Sequence, residues 1–77
     1  MNTKQTLEIQ AGRDLLRKGM ARQLRLDASL TLRDVAEIIG VSHTSVYLWE
    51  NSSRRPLGRN LVRYARLLQE LERVMRR

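Results

Sequence analysis

The chain has no cysteine and only one histidine. Disulfide staples and thiolate metal sites are therefore excluded, and one imidazole alone cannot build a zinc centre. Aromatic residues make up 4% of the sequence, which leaves no expected platform for stacking unpaired bases and disfavours recognition of single-stranded RNA. No apolar run approaches the roughly 20 residues that span a bilayer, and the opening Met-Asn-Thr-Lys-Gln lacks the apolar stretch of a secretory signal. A cytoplasmic protein with no membrane partner is expected. Acids are also scarce, with 8 Asp and Glu against 15 Lys and Arg. They are scattered, without metal-ligand spacing or an activated nucleophile, which speaks against a nuclease. A length of 77 residues suits one small domain but not a core plus a separate catalytic cleft. The expectation is no enzyme, no cofactor, no metal and no small-molecule ligand.

What is present is positive charge, +7 with a pI near 11.3, and one ordered pattern. The charge favours a polyanionic partner, most simply nucleic acid. The pattern runs from Leu32 to Asn51. Thr31 offers a hydroxyl cap and Asp34 a returning carboxylate, so a helix starts there. Leu32, Val35, Ala36 and Ile39 share one face at helical spacing, and Ala36 is small enough to let a second helix approach. Gly40 suits a left-handed position that reverses the chain in few residues. Val41 plugs the turn and Ser42 caps the next helix. Along that helix Val46 and Trp49 point inward, while Thr44, Leu48 and Asn51 cluster outside, flanked by Ser45 and Tyr47. This outer face is small and mostly uncharged, which fits a groove better than it fits open solvent. Two short helices locked around a glycine are a helix-turn-helix, and they point to double-stranded DNA.

Residues 1–11 show no convincing period. Thr6-Leu-Glu-Ile-Gln alternates only briefly, and the segment is expected to be an arm, with the domain proper over 12–77. One helix is expected from about Arg13 to Leu26, weakened by roughly 1 kcal/mol by Gly19 in its interior. Asn51 to Gly58 reads as a loop from its polar residues, proline and glycine. A last helix is expected over 59–77, where Leu61, Tyr64, Leu68, Leu71 and Met75 recur at 3,4 spacing. Its far end has two readings: a short seam for a homodimer, or a surface packed back on Leu15 and Leu16. Residues 51–66 contain five arginines, at 54, 55, 59, 63 and 66, and no acid, a pattern that favours a phosphate clamp over a merely solvated face.

The segment from Arg25 to about Leu68 resembles the DNA-binding domain of the lambdoid phage repressor and Cro superfamily, the XRE type. Ala36, Gly40, Val46, Trp49 and Glu50 fall at its signature positions. The resemblance implies an all-α, compact four- to five-helix domain of lambda-repressor type, here with an extended C-terminal helix. It also implies an ion pair between Arg25 and Glu50, which would tie the first helix of the domain to the recognition helix. Base readout falls to His43, Thr44, Ser45, Tyr47 and Leu48, and phosphate contacts to Ser42, Asn51, Ser53, Arg54, Arg55 and Arg59. The sequence departs from the family pattern at the first motif position, where Leu32 replaces a frequent glutamine, and along a recognition helix without Arg or Gln. Thr44 and Leu48 are therefore expected to meet thymine methyls, with part of the specificity coming from DNA shape.

The function so implied is a sequence-specific transcriptional repressor of a bacterium or its phage, acting by occlusion and residing with the nucleoid. The alternative is an antitoxin-like interaction module that also regulates its own synthesis.

Overall fold

Asn2 starts the first helix, its side-chain oxygen accepting from the Gln5 N–H at 2.7 Å. The computed structural model describes residues 2–76, which form five helices: α1 (Thr3–Arg17), α2 (Ala21–Asp27), α3 (Leu32–Ile39), α4 (His43–Glu50) and α5 (Gly58–Met75). Two expectations are thereby corrected. The segment expected to be an arm is helical from Thr3 onward, and the helix buries Ile9 and, just beyond that segment, Gly12. The helix expected over residues 13–26 is two helices. Gly19 ends α1 rather than weakening it, since its φ is +73° and the Gly19 and Met20 N–H groups donate back to Leu16 and Leu15. That pair of bonds around a left-handed residue is the Schellman ending. The last helix ends at Met75, and Arg77 lies outside the described residues.

The same ending recurs after α2 and α4, with a serine in the left-handed place. Ser29 has φ +59° and Ser52 has φ +60°. In each case the residue and its successor donate back into the last turn, to Leu26 and Arg25 in one and to Trp49 and Leu48 in the other. Serine tolerates this region less well than glycine, so its use shows that the packed helices dictate the reversal.

The core lies where α2, α3, α4 and α5 meet: Ala21 and Leu24, Val35, Ala36 and Ile39, Val46 and Trp49, Tyr64 and Leu68. Trp49 and Tyr64 stack obliquely with ring centroids 4.9 Å apart. α1 lies along α5. A Cβ at Gly12 would fall 2.1 Å from the Ala65 carbonyl oxygen, so the two backbones touch where no side chain fits. About one turn further along, Leu16 and Leu61 line a common cleft, which makes the pair antiparallel. The far end of α5 therefore runs toward the start of α1 and not against Leu15 and Leu16, which lie beside the opposite end near Leu61, and Val74 and Met75 remain 40% and 41% exposed.

Candidate nucleic-acid interface

Each end of the α3–turn–α4 unit is fixed by a local bond. The Asp34 N–H donates to Thr31 Oγ1 at 3.0 Å, and the Thr31 N–H donates to the Asp34 carboxylate at 2.8 Å. The backbone donor, aided by the Thr31 hydroxyl, holds the Asp34 carboxyl below its ordinary pKa. Gly40 takes the left-handed turn at φ +90°. Arg63, reaching across from α5, donates through Nη1 to the Ile39 carbonyl at 2.9 Å. It thus satisfies a carbonyl that the end of α3 would leave orphaned, an anchoring role beyond the phosphate clamp that its charge alone suggests. Ser42 caps α4 by accepting from the Ser45 N–H at 3.2 Å, and the two hydroxyls lie 3.1 Å apart.

The orientation of α4 is set from inside. Val46 is fully buried and Trp49 nearly so. Glu50 turns inward to Arg25, with Nε to Oε2 at 2.6 Å and Nη2 to Oε1 at 3.1 Å. Arg25 Nη1 also donates to the Leu30 carbonyl at 3.0 Å. The two side chains keep 10% and 3% of their exposure, so this is a bidentate pair inside the core. The hydrogen bond to Glu50 raises the Arg25 pKa against the opposing effect of burial. Beside the pair, burial pushes the Tyr64 phenol well above its ordinary range, with the Glu50 charge adding to it, and among the described residues its hydroxyl has no hydrogen-bond partner.

With that anchoring, α4 presents His43, Thr44 and Tyr47 to solvent, with Ser45 and Leu48 half-buried between them. Tyr47 is 53% exposed, and the ring partner of Trp49 is Tyr64 rather than Tyr47. Asn51 closes the helix, its N–H donating to the Tyr47 carbonyl. Ser53, Arg54 and Arg55 follow in an exposed loop, and Arg59 stands exposed in the first turn of α5. Leu32 is half-buried against the core, which accounts for a leucine at the start of α3. Next to it stands a cation that the sequence pattern passed over. Arg33 lines one shallow hollow with His43, at the starts of α3 and α4. A basic residue in the first turn of a helix opposes the helix dipole, and that misfit is the signal that could have drawn attention to it.

A family model described as helix-turn-helix matches residues 22–73. The chain belongs to that family, the XRE or lambda-repressor type of DNA-binding regulator. Neither the curated proteins nor the solved structures yield a match. α1 lies wholly ahead of the matched span. Among the described residues no helix is long and apolar enough to cross a membrane.

Proposed function

We propose that the protein is a sequence-specific repressor of bacterial or bacteriophage transcription that seats α4 in the major groove and occludes the promoter. The observation that carries this reading is the division of α4. One side is locked into the core by Val46, Trp49 and the Arg25–Glu50 pair, and the other presents a mostly uncharged face. His43, Thr44, Ser45, Tyr47 and Leu48 read base edges, with Thr44 and Leu48 against thymine methyls. Ser42, Asn51, Ser53, Arg54, Arg55 and Arg59 position the backbone. A second copy docks through the end of α5 around Val74 and Met75. So small an apolar patch supports pairing on the operator rather than free in solution. The same exposed end supports a second reading, an autoregulating antitoxin-like module, which stable co-purification with a small toxin would identify.

A substitution series tests the assignment of roles. Arg54→Ala or Arg55→Ala should weaken binding to every duplex alike and lower the slope of log K against log salt by about 1 each. Thr44→Ala or Leu48→Ala should leave that slope in place and reduce discrimination between sites by about 1–3 kcal/mol. Equal loss of preference in both sets contradicts the division.

A further inference from the structure

α1 stands wholly outside the residues matched by the family, 22–73, yet its C-terminal half faces the loop that leaves the recognition helix. Arg13 and Arg17 from α1 and Arg54 and Arg55 from that loop line one cleft of about 470 Å³. Its floor includes Leu16, Pro56 and Leu61, so apolar packing holds the cationic walls at a set separation. Among the described residues no acid lines the cleft. Arg17 pairs with Asp14 on its own helix, and among the described residues Arg13, Arg54 and Arg55 enter no ion pair. Guanidinium groups gathered around one concavity repel each other until an anion enters, and the apolar floor focuses their field on it. Their planar forks match phosphate oxygens in particular.

We propose that this cleft seats a backbone phosphate of the bound duplex, so that α1 acts as an added clamp beside the family's own module. The inference rests on the DNA-binding reading above and deepens it. A duplex is favoured over a free anion because the cleft is continuous, through Ser52, Arg54 and Arg55, with the loop that directly follows α4. A strand held by that loop passes the cleft mouth. Asp14 competes with the phosphate for Arg17.

The test is fluorescence anisotropy of the full chain with a labelled duplex of random sequence, titrated across salt concentrations. Arg13→Ala should reduce the slope of log K against log salt by about 0.9. Asp14→Asn should tighten binding and steepen the slope by up to the same amount, because it frees Arg17. Lys4→Ala removes the same charge from the opposite end of α1, away from the cleft, and should match the wild type. Thermal melts exclude unfolding as the cause. Wild-type slopes for both Arg13→Ala and Asp14→Asn, in a protein that still binds DNA, overturn the inference and leave the DNA-binding reading standing. The same slopes with Trp49 fluorescence saturating in inorganic phosphate would assign the cleft to a free anion and also overturn it. A wild type that binds no duplex at low salt removes the reading itself and the inference with it.

Discussion

At the scale of single residues, the Arg25–Glu50 pair decides how the recognition helix sits. Both charges are almost fully withdrawn from water, and their forked contact is the compensation for that withdrawal. Removing one partner strands the other, so Glu50→Ala should destabilise the fold by about 3–5 kcal/mol. Arg25→Met with Glu50→Leu should cost far less than the sum of the two single changes, as thermal melts of the three variants would show. Simple additivity would mean that the charges do not depend on each other. Tyr64 makes the opposite case. Its ring is central to the core, but its hydroxyl is buried without a partner. Tyr64→Phe keeps the ring against Trp49 and removes the unsatisfied group, so it should stabilise by about 1 kcal/mol. A loss of stability in urea titrations would show that the hydroxyl is satisfied in solution.

At the scale of elements, α3, the turn and α4 were legible because every boundary has a residue with one physical job. Thr31 and Asp34 form the cap, Gly40 turns left-handed and Ser42 opens the next helix. α1 was hidden for a reason equally local. Its tightest contact with α5 is made by Gly12, which has no side chain and so leaves a gap in the apolar period where the helices touch. Gly19 was legible as a glycine but not as a terminator, since the Schellman bonds it makes depend on the helix that precedes it. The left-handed serines at 29 and 52 bear no such mark in the sequence. The arginines of the α4–α5 loop could be found from charge alone, whereas the meeting of Arg13 with Arg54 depends on the antiparallel packing of α1 on α5. That packing has its own test. Gly12→Ala drives a methyl into the Ala65 backbone and should destabilise by about 3 kcal/mol through forced separation of the helices. A variant with an unchanged melting midpoint would refute the close crossing.

At the scale of the whole molecule, a packed interior is joined to a cationic exterior. The net charge of +7 draws the protein to any duplex, and in the proposed reading the mostly uncharged outer face of α4 selects among sequences once it is there. The body measures 31 × 31 × 21 Å. In the proposed pair, recognition helices set one helical turn apart, roughly 34 Å, would read a palindromic site. Val74 and Met75 leave only a small exposed apolar patch at the end of α5, so the proposed pairing is one that forms on the DNA. The measurement that tests this most directly is selection of the purified chain against a randomised duplex library at near-physiological salt, followed by sequencing. The account predicts an enriched palindrome with half-site centres about 10–10.5 bp apart. Recovery of no motif above the salt-sensitive background would contradict it, leaving the positive charge to serve nonspecific attachment alone.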